Sequence, residues 1–294
     1  MFRSATDFDK AEFVFILGPT MGEQIQAYMA EHYPDRHVDY AVQPEMKGQS
    51  DAYWQAREYL HGPMLMAFAD TLIEKDFTFL NCEEKDIVGV VKPVPDPRRF
   101  GVAEVNGTGG VTRLIEKPQD MGNNLALVGC YYFREAQDLI SAIKEQIERN
   151  ITLKGELYLV DAINILLERG FKMRTEKVAV WRDAGTIDAV MGTNRYLLEH
   201  GKDNSESLTN LEEITILQPV NIHPDAIIAS STIGPHVSIG AGSVVKSSTI
   251  QDTIIGKGTK VTDCHLNNSL IADHVMIENQ TGQYVLGDNA RATQ

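Results

Sequence analysis

Hydrophobic positions along the chain follow two different rhythms. From about residue 12 to 200, short apolar runs alternate with stretches of helical period. EFVFIL (12–17), VDYAVQ, PMLMAFA, DIVGVVKPV and NLALVGCYYF read as strands. GEQIQAYMAEHY reads as a helix with Ile25, Tyr28 and Met29 on one face. EAQDLISAIKEQIERN carries Leu139, Ile140, Ile143 and Ile147 at helical spacing. ELYLVDAINILLERG is a further helix, with Gly170 suited to a left-handed C-terminal cap. Strands alternating with helices predict an α/β sheet buried on both faces.

The rhythm changes from about residue 214. Ile239, Ile255 and Ile271 recur every sixteen residues, in IGAG, IGKG and IADH. Between them Val245, Ile250, Val261, Leu266 and Ile277 fall five or six apart. Three short strands per coil, each sending one aliphatic side chain inward, is the pattern of a parallel β-helix of about four coils. An ordinary antiparallel domain would show longer strands with clean alternation. The polar run HGKDNSES (200–207) has the composition of a boundary. The predicted domains are therefore residues 1–207 and 208–294.

The net charge of −14 argues against non-specific binding to nucleic acid or to an anionic membrane, because either would be repelled. A phosphorylated substrate is still admissible, since it needs only a local lysine or a metal. Cys82, Cys130 and Cys264 form no metal-ligand or disulfide pattern. With no signal-like or membrane-length apolar stretch, a cytoplasmic location is the default expectation.

Candidate chemistry sits where predicted strands end. In LMAFADTLIEKDF (65–77), Asp70 closes an apolar run; a helix cap or turn is the ordinary role of such an aspartate. VAVWRDAGT (178–186) repeats the arrangement with Asp183 ahead of a glycine. Two carboxylates at the ends of strands of one sheet can jointly hold Mg²⁺, which takes oxygen ligands and completes its shell with phosphates and water. RLIEKP (113–118) places Glu116 and Lys117 at another strand end, where a lysine can hold a phosphate and the glutamate a sugar hydroxyl; a solvated charge pair is the plainer reading. Gly101 and Gly129 stand where a side chain would crowd a ligand, or are sheet bulges. Gln43 ends a strand ahead of a turn containing Gly48, and its amide is the kind of group that reads the edge of a base.

Taken in order, QPExxGxxDA, a strand ending in DTL, DPRRFGV, EKP, NLAxVGxYYF, KGEL, WxDxGT and then a β-helix resemble the sugar-1-phosphate nucleotidylyltransferases. The likeness is strongest to the glucose-1-phosphate thymidylyltransferase type with a left-handed, hexapeptide-repeat-like β-helix tail, and it is collinear from about residue 12 to 280. The resemblance implies a Rossmann-like mixed-sheet nucleotidyltransferase domain followed by that β-helix. It implies that Asp70 and Asp183 bind a catalytic Mg²⁺ and that Gln43 and Gly48 contact the base. Gly101, Glu116, Lys117 and Gly129 would hold the sugar phosphate, with Asn124 and Glu156 as further sugar contacts and Lys117 counted with the two aspartates as catalytic. The implied substrates are a nucleoside triphosphate (dTTP or UTP) and a sugar 1-phosphate, glucose 1-phosphate in the first instance.

The sequence departs from the family at three places. Gln49 and Ser50 stand where the family more often has Thr and Ala, and Ala69 replaces a glycine before Asp70. The family's opening strand and glycine-rich phosphate loop have no counterpart ahead of EFVFIL, so a shortened and inactive chain is expected. That departure keeps open a non-catalytic regulatory or scaffolding paralogue assembled through its β-helix; self-association through the β-helix is expected in either case. An acyltransferase reading, with His223, His236, His265 and His274 as bases, is a third alternative.

Overall fold

The computed structural model describes residues 10–207 and 213–293. They form two compact units that divide between Trp181 and Arg182, well ahead of residue 207.

The first unit opens with a parallel pair, β1 (Phe13–Leu17) and β2 (Val38–Val42), joined by α1 (Gly22–His32). This pair forms a separate two-stranded sheet. α1 has no fully buried residue: Ile25 and Met29 are only half-covered, and Tyr28, expected on the inner face, is 52% exposed with its ring tilted against that of His32. After α2 (Gln49–Gln55) come β3 (Met64–Ala67), β4 (Thr71–Glu74), β5 (Ile87–Pro93), β6 (Gly101–Val105), β7 (Val111–Glu116) and β8 (Leu125–Phe133). Two helices, α3 (Ala136–Glu148) and α4 (Leu159–Glu168), precede β9 (Met173–Lys177) and β10 (Val180–Asp183).

A mixed six-stranded sheet runs in the order β7-β6-β8-β5-β9, with β3 also paired to β8. Only β5–β9 is parallel among its recorded pairs; β3, β5 and β6 all run antiparallel to β8. The near-continuous apolar run of β8 follows from burial on both faces. Leu127, Tyr131 and Phe133 enter the core built by α3 and α4, while Val128 and Cys130 enter a second core with Ile73, Phe77, Val90 and Val178. α3 buries Leu139, Ile140 and Ile143 in the core, whereas Ile147 in its last turn is 38% exposed. Gly170 adopts φ +92° just past the end of α4, as its position predicts.

The second unit contains α5 (Ile187–Leu197), capped by the Thr186 hydroxyl on the Ala189 N–H, and a parallel β-solenoid. Each of its three faces carries five rungs. One face stacks segments 220–222, 237–239, 253–255, 269–271 and 285–286 in register. Ile222, Ile239, Ile255 and Ile271 thereby form one buried column, closed by Leu286. Val245, Val261 and Ile277 form another, and Ile233, Ile250 and Leu266 a third. The sixteen-residue period holds only in the middle. Val220 pairs with Val237, seventeen residues on, and Ile271 with Leu286, fifteen on, which is why five rungs replace the expected four.

Corners are built from left-handed residues in columns, such as Ser230, Ser247, Asp263 and Asn279. Inside them, small hydroxyls satisfy the amides that tight bends would orphan. Ser231 Oγ accepts the Ser248 N–H, and Ser248 Oγ accepts that of Cys264. Ser243 and Thr259 do the same one corner on, for Thr259 and Val275. The polar segment before the solenoid is fastened to its first coil: Asp203 Oδ1 accepts from the Val220 N–H, and the Asn204 amide bonds both the N–H and the carbonyl of Ile222.

Candidate active site

The ends of β6 and β7 and the start of α4 bring the central group together. Gly101 and Glu116 are direct register partners across the β6–β7 ladder. A Cβ on Gly101 would stand 3.1 Å from Glu116 Oε2 and 3.0 Å from Val160, so the glycine makes room for this carboxylate. No hydrogen bond reaches the Glu116 carboxylate among the described residues. Burial pushes its pKa up to about 7; Lys117 opposes the rise, and Asp161 and Glu156 add to it. Asp161, in the first turn of α4, is itself raised by burial.

Lys117 follows in a left-handed conformation, φ +47°, with its N–H bonded to the Phe100 carbonyl. Its ammonium donates to Tyr158 Oη at 2.7 Å and lies 4.6 Å from the centre of the same ring. The bond to Tyr158 raises the lysine pKa further. Glu156, in contrast, lies exposed at the end of a tight turn through Lys154 and Gly155, both at positive φ.

A second cluster forms around Gln43. Its buried side chain donates from Nε2 to Asp51 Oδ2 at 2.8 Å and to the Gly48 carbonyl at 3.0 Å. Both amide hydrogens therefore brace the loop, and the carbonyl oxygen is the atom left for a ligand. Gly48, at φ +108°, needs its missing Cβ for a different neighbour: a Cβ there would come within 2.7 Å of the Leu157 backbone, which bonds Lys47 and Ser50. Gly129, at φ +72°, is likewise required by Phe68, whose ring would lie 2.5 Å from a Cβ. Asn124 is exposed, and the side chain that organises this turn belongs to its neighbour Asn123, bonded to the Leu125 N–H and the Ala103 carbonyl.

Asp70 lies exposed in the turn between β3 and β4, within 3.5 Å of the Thr71 hydroxyl. Asp183 ends β10 in the other compact unit; its Oδ1 accepts the Gly185 N–H at 2.8 Å, and its carbonyl accepts from the Thr193 hydroxyl. Among the described residues no cluster of three or more Asp, Glu, His or Cys is arranged to hold a metal. Of the tail histidines, His236 is engaged by Glu199 and Asp252 at 3.0 and 3.2 Å. Sequence reasoning did not single out Tyr158, Asp161 or Asp51. Tyr158 directly follows the KGEL motif, but there it reads as the beginning of an apolar helix.

Residues 6–200 match the nucleotidyl transferase family. The chain belongs to that family. This nucleotidyltransferase is 25% identical to the glucose-1-phosphate thymidylyltransferase of Streptomyces griseus, over 94% of this chain and 84% of that one. It is 30% identical to the low-salt glycan biosynthesis nucleotidyltransferase Agl11 of Haloferax volcanii, over 95% and 86% of the two chains. The solved structure of a nucleoside-diphosphate-sugar pyrophosphorylase from Vibrio cholerae shares the fold, with a TM-score of 0.53 and 18% identity over 63% of this chain and 81% of the other. No described helix of the nucleotidyltransferase is long and apolar enough to cross a membrane.

Proposed function

We propose that the site of this sugar nucleotidyltransferase serves transfer of a nucleotidyl group from dTTP or UTP to glucose 1-phosphate, with pyrophosphate release by this chain testing the inactivity expected from its sequence. A sugar-phosphate oxygen attacks the α-phosphorus, the bond from that phosphorus to the bridging oxygen breaks, and pyrophosphate leaves with the electron pair. The observation that carries the reading is Glu116 beside Lys117: a partly buried carboxylate with no hydrogen-bond partner next to an ammonium held in place. The carboxyl would meet a sugar hydroxyl and the ammonium the phosphate, fixing the acceptor for in-line attack. Gly101 leaves room for the Glu116 carboxylate that would meet the sugar, and Gln43, through its carbonyl oxygen, would contact the base beside Gly48. Gly129, Asn124 and Glu156 complete the proposed sugar side.

Asp70 and Asp183, each taken within its own unit, have the oxygen-only chemistry of ligands to a hard cation. Asp70 is exposed with a single long polar contact, Asp183 keeps Oδ2 for a ligand, and both offer only oxygen. Bound there, Mg²⁺ would supply charge neutralisation to the phosphates. The catalytic half is taken as residues 1–207 and the solenoid half as 208–294.

Calorimetric titration with glucose 1-phosphate and with glucose is the test, because binding does not require turnover. Preferential binding of the phosphate ester, weakened by Lys117→Gln and by Glu116→Gln, supports the reading. Equal binding of both sugars, or of neither, refutes it. Pyrophosphate release with dTTP against UTP then identifies the base.

A further inference from the structure

Several lysines among the described residues are paired with acids: Lys47 with Glu45, Lys75 with Glu176, Lys144 with Glu148. Lys117 differs. Glu116 and Glu156 are near enough to bias its charge, yet its hydrogen bond goes to a neutral phenol. An ammonium tied to a carboxylate has its charge largely cancelled, whereas one tied to a hydroxyl keeps it for an incoming anion. An ammonium has three N–H donors, so one bond to Tyr158 leaves two for a ligand.

Tyr158 is suited to hold that tether still. It is 7% exposed and occupies the N-cap position of α4. Its carbonyl accepts from the buried Gln146 Nε2 at 2.9 Å and from the Asp161 N–H at 3.2 Å, which fixes the backbone from which the ring projects. Lys117 reaches the phenol from a left-handed turn, so both ends of the contact are constrained. A free lysine side chain would lose about 2 kcal/mol of rotamer entropy on ordering against a phosphate.

We propose that Tyr158 is a positioning residue that holds the Lys117 ammonium, with its charge uncancelled, ready for the phosphate of the acceptor sugar. The role rests on the reading of Lys117 as the phosphate-holding group. Tyr158→Phe keeps the ring beneath the ammonium and removes only the hydroxyl. It is expected to weaken glucose 1-phosphate binding by about three- to tenfold, the effect of one hydrogen bond, with its melting temperature and its affinity for glucose unchanged.

In a Lys117→Gln background the same substitution is expected to have no further effect, since nothing remains to be positioned. Additive losses in the double variant, or an unchanged glucose 1-phosphate affinity in Tyr158→Phe, overturn the proposal while Lys117→Gln still tests the parent reading separately. Equal loss of glucose and glucose 1-phosphate binding would assign Tyr158 to packing alone and also overturn it. An indifferent Lys117→Gln removes both ideas together.

Discussion

Replacing Glu116 with glutamine should stabilise the protein at neutral and higher pH while weakening the site. Burial lifts the folded pKa of this carboxyl from its ordinary 4.5 to about 7. Below pH 4.5 the group is protonated folded or unfolded, and it costs nothing. Between 4.5 and 7 the unfolded chain releases the proton and the folded chain keeps it, so stability falls as pH rises. Above about pH 7 the group is ionised in both states and the full cost persists. At about 1.4 kcal/mol for each tenfold change in proton affinity, the cost reaches about 3 kcal/mol. Because the carboxyl is partly open to water, screening reduces this to about 2 kcal/mol. Glutamine has nearly the same shape and never ionises.

The assay is thermal unfolding of parent and Glu116→Gln at pH 5 and pH 8. Tryptophan fluorescence reports the relevant unit, since both tryptophans, Trp54 and Trp181, lie within residues 1–181. For a unit of this size about 2 kcal/mol corresponds to about 4–8 °C. The variant should melt only slightly higher than the parent at pH 5, where the unfolded chain has begun to release the proton, and higher by about that amount at pH 8. Histidines and other acids titrate alike in both proteins and cancel in the comparison. A variant that melts lower at pH 8, or by the same margin at both pH values, would mean the carboxylate is stabilised by a partner, and the reasoning fails. The expected pairing of higher stability with weaker sugar-phosphate binding is the usual exchange at a binding site.

Ile255→Asp should cost at least about 4 kcal/mol, because it puts an unpaired charge in the middle of a buried five-rung column; urea unfolding as steep and late as the parent's would refute the stacking. Gly129→Ala should cost about 2 kcal/mol or more, from a positive φ and a Cβ driven into the Phe68 ring, whereas Gly170→Ala, with open space around it, should cost only the backbone term. Asp183→Asn should weaken Mg²⁺-dependent dTTP binding by about tenfold and leave binding in excess chelator unchanged; equal loss in both conditions would remove the aspartate from the metal. Raising pH from 6 to 8 should weaken glucose 1-phosphate binding in the parent by about fivefold relative to Glu116→Gln, from one added negative charge at about 1 kcal/mol. Parallel pH profiles for the two proteins would show that Glu116 does not ionise in this range.

Much of the fold is legible from periodicity because burial on one or two faces leaves a direct signature. β8 is apolar throughout since both its faces are covered, and the solenoid repeats since each coil meets an equivalent neighbour. Where covering is partial the signature misleads. Tyr28 and Ile147 have the spacing of core residues, but they are left 52% and 38% exposed. Gly129 was read as a place where a side chain would crowd a ligand and Gly48 as part of a turn at the base, yet what a Cβ would meet at both is the protein's own backbone or ring. A sequence marks that a Cβ is forbidden without saying what forbids it. Tyr158 escaped notice for a related reason: an aromatic ahead of an apolar helix reads as core, and only the fold reveals that its hydroxyl meets Lys117, forty-one positions away.

The charge balance explains why such a tether matters here. The chain carries −14 overall, and Glu116, Glu156 and Asp161 all act electrostatically within the site itself. A phosphate ester approaching this surface would be repelled if every carboxyl were ionised. Burial changes the sum locally: it lifts Glu116 and Asp161 toward the neutral form, while Tyr158 raises the lysine pKa and secures its positive state. The same desolvation that costs stability at Glu116 thus removes negative charge where an anion must dock. Beyond about 8–10 Å the remaining surface charge is screened at physiological salt, so the local sum governs binding. A site with one free cation and several acids can accept phosphate only if those acids are kept largely uncharged and the cation is not consumed by them. The geometry around Lys117 meets the second condition, since its hydrogen bond goes to the Tyr158 hydroxyl, and burial moves Glu116 and Asp161 toward the first.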